Sequence, residues 1–575
     1  MSTEHPHDEH LTLESLLEPS SWKLPGFRTD VPPTDPARSQ TETLDRLDVS
    51  LALLAKYRNS LRPFSRLTSD ILIIIFQQLV QDYSDPHEAS FGSYSWMGVA
   101  QVCQIWRDVV LTSAILWTNI STRYPKYALA CIERSGDAAL SLVVYTGSSR
   151  DNVAAVLDAV LPHVKRLRRL IVPSNYLRSS DDTVHELLRP LVESPAPMLE
   201  SLETEKIRAD QGWVTMPTVF TGTTPGLRRL RIHFMVPEPS SVSLSNLRVL
   251  TLCGRKHTPI ILAVSRFLDL LEGCPLVEIL KVEKANFTAS DVVESRRVEL
   301  KHLQVFELGR ADASPVMDIF SHLVIPECAI RMKVWMDRYE ENKFHIGLPL
   351  PVDLDPNHHL HDIRKIHVDF MNGYEGVEIT GATGAKASTP FWISGLITSN
   401  TISQLGDMDA IAGTVFKSLA NAFDFDVLEE FAITEMRNNL RWTGYTKKLW
   451  MDTFRRMPML KALYITLEGG YDEGICRALL AALSTRDERT GNFLCPNLES
   501  ITVWGDKTWS SLQCYIMAEQ RAKAGKPLKK VSMKLSHYTS FSDPADTDLP
   551  LLRQYVENVD LEPIDIEFPD FPEWS

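Results

Sequence analysis

Long apolar runs are missing from the 575-residue sequence. The densest, Ile71–Val80, holds eight apolar side chains in ten positions, well short of the roughly 18 that a membrane-spanning helix needs. Cysteine is scarce: eight in all, with no C-x-x-C pair, which excludes a disulfide framework and the common zinc modules. Cys103 sits in a helical apolar pattern, and Cys274 and Cys495 each directly precede a proline, so buried thiols in a reducing compartment are expected. Excess positive charge is missing too. A net charge of −14 argues against nucleic acid as a partner, which calls for a basic face. The basic strings KRLRRL (165–170) and LRRLRI (227–232) read as solvated positions beside strands. The N-terminus, MSTEHPHDEHLTLESLLEPS, is acidic and lacks the apolar core of a secretory signal. The N-x-S/T triplets at Asn119 and Asn286 are then chance matches, no membrane is expected as a partner, and the expected location is cytoplasmic or nuclear.

Catalytic signatures are equally sparse. GATGAK (381–386) lacks the G-x-x-x-x-G-K-[ST] spacing that cradles phosphates. DPNHHLHD (355–362) gathers His358, His359 and His361, but adjacent histidines point in different directions and no second cluster completes a metal site. Neither a G-x-S-x-G elbow nor an H-E-x-x-H helix occurs, and the Asp472–Glu473 pair reads as helix-start charge. No catalytic residue, metal or cofactor is expected. The chain reads as one that binds rather than as an enzyme.

What is present falls into segments. Residues 1–38 are proline- and charge-rich and read as a disordered tail. From Ser39, with Glu42 as its capping-box partner, Leu44, Leu47, Leu51, Leu54 and Leu61 keep a helical rhythm that Pro63 ends. This leucine-seamed helix, 39–62, is expected to pack on the next domain, with a short coiled coil as the alternative.

The string ILIIIF has strand propensity, yet TSD (68–70) before it supplies helix caps, and no Gly or Pro interrupts 67–85. A helix is expected, apolar around most of its girth, so that part of it must face a partner surface. Val99, Val102, Cys103 and Trp106 then keep helical spacing through Val110, and SAILW (113–117) starts a further short turn with Ser113 as its cap. The order Leu67, Ile71–Leu72, Ile75–Phe76, Leu79, Val102–Cys103, Trp106–Arg107 and Leu116–Trp117 resembles the F-box family over about 55 residues (63–121). That family's pattern is a Leu-Pro-x-Glu-Ile/Leu-Leu opening, an Ile-Phe pair, a Val-Cys-x-x-Trp-Arg core and a closing Leu-Trp. Here LTSDIL (67–72) replaces the proline-bearing opening, with capping by Thr68, Ser69 and Asp70 in its place, and a loop-like insertion occupies 81–95.

The remainder, 122–563, repeats an apolar-x-x-apolar-x-apolar strand, often introduced by proline. Its first anchors are Leu167, Leu199, Leu227, Leu247, Leu276, Leu303, Ile363, Leu428, Leu460, Leu498 and Leu528, mostly about 30 residues apart. AALSLVVY (138–145) and AIRMKVWM (329–336) read as further, degenerate strands. Segments such as 151–164, 261–273, 407–423 and 473–483 read as intervening helices. The alternation resembles a divergent leucine-rich-repeat array, which implies an α/β solenoid, a horseshoe with its strands on the concave side. A turn-rich insertion, 371–395, carries Phe391 and Trp392, and 564–575 reads as a tail.

Together the two resemblances imply a substrate receptor of an SCF-type cullin ubiquitin ligase in ubiquitin-dependent degradation. The F-box would bind a Skp-family adaptor, and through it a cullin, while the repeats hold a target protein. The adaptor-facing set implied by the pattern is Leu67, Ile71, Leu72, Ile75, Phe76, Leu79, Val102, Cys103 and Trp106. Two alternatives stay open: a non-ligase interaction scaffold built on the repeats, and a hydrolase within a doubly wound parallel sheet.

Overall fold

The computed structural model describes residues 36–62, 66–82, 94–145, 148–172, 183–204, 214–216, 224–233, 235–237, 243–254, 259–288, 296–309, 313–324, 331–335, 363–371, 376–383, 390–396, 413, 415–417, 419–420, 423–436, 446–468, 474–505, 511–535 and 550–560. The histidine cluster at 358–361, the Asp472–Glu473 pair, the tail at 564–575 and nearly all of the N-terminal tail lie outside them. The chain divides into two compact units, principally Met1–Gly212 with Met216–His233, and Leu244–Ser575. The division falls inside the repeat region, so the F-box-like segment and the first repeats share one unit.

The first unit opens with helix α1 (Pro36–Ser60) and helix α2 (Ser69–Asp82). The 3-10 turn Ser95–Gln101 follows, then helix α3 (Gln104–Thr112) and a second 3-10 turn, Ala114–Trp117. Strands then alternate with helices: β1 (Asn119–Ser121), α4 (Pro125–Arg134), β2 (Leu140–Val143), α5 (Arg150–Val160), β3 (Leu167–Val172), α6 (Thr183–Val192), β4 (Ser201–Thr204) and β5 (Arg229–His233). The strands pair in parallel in chain order, placing Leu142, Leu170, Leu202 and Leu230 in one buried register row. Helix α5 shows why the pattern folds this way. Ser149 caps it by accepting from the Asn152 N–H at 3.3 Å, and Val153, Val156, Leu157 and Val160, spaced for one helical face, are all buried.

The second unit continues the scheme. Its parallel strands β6 (Val249–Cys253), β7 (Ile279–Glu283), β8 (Val305–Gly309) and β9 (Arg331–Trp335) are interleaved with helices α7 (Val264–Glu272) and α8 (Ala313–His322). There follow β10 (Ile363–Met371), β11 (Gly376–Thr383), β12 (Pro390–Leu396) and β13 (Glu430–Met436). After these come α9 (Lys447–Phe454), β14 (Ala462–Glu468), α10 (Gly474–Leu483), β15 (Ser500–Gly505), α11 (Ser511–Lys523), β16 (Leu528–Leu535) and β17 (Val556–Asp560). From β10, pairing runs in parallel through β13 to β17 in chain order.

Two expectations are corrected here. The 371–395 segment is not an irregular loop: β10, β11 and β12 form an antiparallel meander, and β12 joins the sheet parallel to β9. Strand-forming Val377, Ile379, Phe391, Trp392 and Ile393 override the local turn residues. Part of the long interval before Leu428 is therefore taken up by strands that fold back. The repeat anchor at Leu276 is also off by one: Val277 is the fully buried residue, and it is in step with Leu247 and Leu303 by the β6–β7–β8 register.

One local device recurs before the strands of both units. The N–H of the anchor residue donates to the carbonyl three residues back: Leu199 to Ala196 and Leu227 to Thr224 in the first unit, Leu247 to Leu244, Val277 to Cys274, Leu303 to Leu300, Leu460 to Met457 and Leu498 to Cys495 in the second, at 3.0–3.3 Å. Where proline introduces the strand, as at Pro197, Pro225, Pro275, Pro458 and Pro496, it takes the second position of this turn, whose φ it already has. The residue opening the turn is buried. That position explains Cys274 and Cys495, whose thiols burial pushes up to about 12.

Candidate docking interface

Helix α2 has two apolar faces. Leu72 and Phe76 are buried, at 1% and 0% exposure, and Val80 joins them. Phe76 meets Trp106 edge to face, with ring centroids 5.2 Å apart. Beneath them, Trp96 packs on Trp117 and Trp117 on Tyr127, each pair at 5.9 Å. The indole N–H groups are satisfied: Trp96 donates to the Tyr127 hydroxyl at 2.9 Å and Trp117 to the Val110 carbonyl at 2.7 Å. Arg134 stands over the Trp117 ring at 5.1 Å. This aromatic seam joins the F-box-like segment to α4, the first helix after it. Burial raises the pKa of Tyr127 and pushes the Cys131 thiol up to about 12, so both stay protonated at neutral pH.

On the opposite face, Ile71, Ile74 and Ile75 are exposed, Ile74 at 65%. Their spacing of three and four residues puts them on one stripe. Val102 and Ile105, at the entry to α3, and Ile115 in the following turn are exposed as well, and α2, α3 and the two 3-10 turns pack on one another. With the inner face already complete, these six side chains form an apolar surface that nothing in the chain's own core requires.

The resemblance-derived set therefore divides. Ile71, Ile75 and Val102 face out, while Leu67, Leu79, Cys103 and Trp106 are half-buried. Leu72 and Phe76 belong to the inner core and offer no side chain to a partner. Ile74, Ile105 and Ile115 were missed, although the helical stripe through Ile71 and Ile75 already contains Ile74. The expected helix from Val99 to Val110 is broken. Cys103 is extended (φ −160°, ψ 169°) between the 3-10 turn and α3, and Ser113 precedes the last turn without a side-chain cap. Helix α1 starts at Pro36, ahead of the proposed Ser39 cap. The leucine seam does not pack: Leu44, Leu47, Leu51 and Leu54, and Leu61 just past the helix end at Ser60, are each more than half exposed.

Of the basic strings, Arg166 is structural. It donates to the Ile132 carbonyl at 3.3 Å, and at 3.0 Å to the Ala138 carbonyl and the Ser135 hydroxyl. Among the described residues no group of three or more His, Cys, Asp and Glu is placed to hold a metal ion, and no helix is long and apolar enough to cross a membrane. A scan against protein-family models finds no match to this chain, and a search of curated proteins finds no significant relative.

Proposed function

We propose that this protein is a substrate receptor of an SCF-type ubiquitin ligase. In this reading the F-box-like segment docks on a Skp-family adaptor through the outer stripe of α2 and the α3 entry. Divergent leucine-rich repeats, present in both units, carry the target protein. The observation that carries the reading is the split of α2 into a completed inner face, Leu72 and Phe76, and an uncovered outer one, Ile71, Ile74 and Ile75. The repeat reading is supported by the in-step leucine rows and by the same anchor turn before strands of both units. The receptor then works by scaffolding, raising the effective concentration of the target near the ubiquitin-carrying enzyme without making or breaking bonds itself.

The test is binding of the full-length protein to a purified Skp-family adaptor. Ile74→Asp with Ile75→Asp should weaken binding at least about tenfold while leaving thermal unfolding unchanged, since a charge inside a packed interface costs about 2 kcal/mol or more. Phe76→Ala, by contrast, should lower stability by about 3 kcal/mol through a core cavity. Absence of wild-type binding by a folded protein would sink the ligase reading and leave a repeat scaffold.

A further inference from the structure

We propose that the row Ser141, Arg169, Ser201, Arg229 of the first sheet is a docking site for an acidic segment of a target protein, one carboxylate being taken by each arginine. The site deepens the target-carrying role proposed for the repeats, and it rests on that reading only for its ligand being a target. Side chains alternate across a strand, so these four stand on the face opposite the buried Leu142, Leu170, Leu202 and Leu230. Arg229 is exposed and Arg169 half-buried. Beside Arg169, the side chains of Val143, Tyr145 and Ile171 form a buried apolar cluster, so water screens its charge less on that side.

Charge selects the occupant. Two acids stand near the row and each has a cation of its own: Glu200 has Arg168 at 2.7 Å and Glu203 has Arg231 at 3.4 Å. Their pull on Arg169 only partly offsets burial and the like charges of Arg229 and Arg168. Among the described residues no side chain bonds or pairs with Arg169 or Arg229. On the second unit's strands, by contrast, Lys281, Lys365 and Lys530 each meet an acid. Two surplus cations thus sit together on a chain whose net charge is −14, a local reversal that draws an anion. Each side chain of the row can donate a hydrogen bond, and the guanidiniums accept none, so the row fits an acceptor-rich ligand. Ser201 separates the arginines, which puts their strands about 10 Å apart at roughly 4.8 Å per strand. That span suits two carboxylates, each held by both oxygens on one guanidinium, better than a single phosphoryl group. Nucleic acid is a poorer occupant still, since Glu200 and Glu203 flank the row and would face its phosphates.

Fluorescence anisotropy of a labelled polyglutamate peptide with the full-length protein tests this. At low salt the wild type should bind that peptide and not a matched glycine–serine peptide. Arg169→Ser with Arg229→Ser, which copies the row's own serines, should weaken binding at least about tenfold. Neither arginine has a partner to lose, so thermal unfolding of that variant should match wild type. Lys530→Ser, which removes a paired cation from the second sheet, should leave binding unchanged. The assay contains no adaptor, so its outcome is separate from the adaptor-binding test of the ligase reading. Absence of polyglutamate binding by the wild type overturns the proposal. So does binding that survives the double substitution, or that Lys530→Ser weakens equally. Tighter binding of a glycine–serine peptide bearing phosphoserine would give the row to a phosphoryl group and overturn the carboxylate assignment.

Discussion

In the sheet of the first unit, Leu142, Leu170, Leu202 and Leu230 stand in one register row, and in that of the second Leu250, Leu280 and Phe306 do the same, all buried. The rows on either side of these hold different residues. In the first unit the row one residue before the leucines runs Ser141, Arg169, Ser201, Arg229, and among the described residues neither arginine has an ion-pair partner; the row one residue after them runs Val143, Ile171, Glu203, Arg231, with Arg231 3.4 Å from Glu203. Burial, then the like charges of Arg229 and Arg168, lower the pKa of Arg169. In the second unit that following row runs Thr251, Lys281, Glu307, with Lys281 3.1 Å from Glu307. Farther along that sheet Lys365 pairs with Glu430 at 2.7 Å and Lys530 with Asp560 at 3.0 Å. The apolar rows repeat because burial fixes them. The polar rows are free to diverge, so each unit can present a different surface on the same strand plan.

The same contrast in degree appears where arginine replaces apolar packing, and there the largest effect is expected. Arg521 of α11 is fully buried and donates to the carbonyls of Leu483, Leu494 and Cys495 at 3.3, 3.2 and 2.7 Å. It thereby ties off the end of α10 and the turn before β15. Arg166 does similar work at the end of α4 but is reached by water. Arg521→Leu strands three buried carbonyls and should cost about 4 kcal/mol, while Arg166→Leu should cost about 1–2 kcal/mol. Urea denaturation, with hydrogen exchange of the β15 amides as a local readout, checks both. Equal losses would mean that burial is not what separates the two arginines.

A smaller effect separates the polar rows directly. Glu307 is 4% exposed, so Lys281→Met leaves a buried carboxylate without its cation and should cost about 2 kcal/mol. Arg169→Met removes a charge that burial, Arg229 and Arg168 disfavour and that Glu203 and Glu200 only partly offset. It should change stability by less than about 0.5 kcal/mol, or raise it slightly. A loss at Arg169 as large as that at Lys281 would erase the distinction between a row with an ion pair and a row without one.

Much of this plan was readable from residue order. The anchors every 30 or so residues mark real strands, and the degenerate strings at 138–145 and 329–336 supply β2 and β9. Val277 was mistaken because Leu276 beside it is equally apolar, and only pairing register separates neighbours. The β10–β12 meander was hidden because its strands carry Gly376, Gly381 and Gly395, which read as turns in isolation. On α2, spacing placed Ile71 and Ile75 on the helix but not which side the core would take. That side is decided by Trp106 and Trp96, which reach Phe76 and Trp117 from other elements. The exposure of the α1 seam was illegible because a leucine stripe reads the same whether its cover comes from the same chain or from another.

The smallest effect concerns His367 in β10, whose Nε2 lies 2.8 Å from the Thr434 hydroxyl of β13. Burial lowers its pKa to about 4, against 6.5 for a free imidazole. Between those values the unfolded chain takes up a proton that the native state refuses. The stability it contributes is therefore complete above about pH 6.5 and is lost progressively as the pH falls toward 4. Because the ring is only partly shielded from water, the loss should be about 1–2 kcal/mol. His367→Gln keeps a hydrogen-bonding group for Thr434 but cannot titrate, so the stability difference between pH 7.5 and pH 5 should shrink relative to wild type. The first unit's matching row position is occupied by Ile171, and a substitution there should leave that difference unchanged. If His367→Gln leaves it unchanged too, the pH response belongs to the carboxylates, and the second sheet's polar row carries no titrating switch.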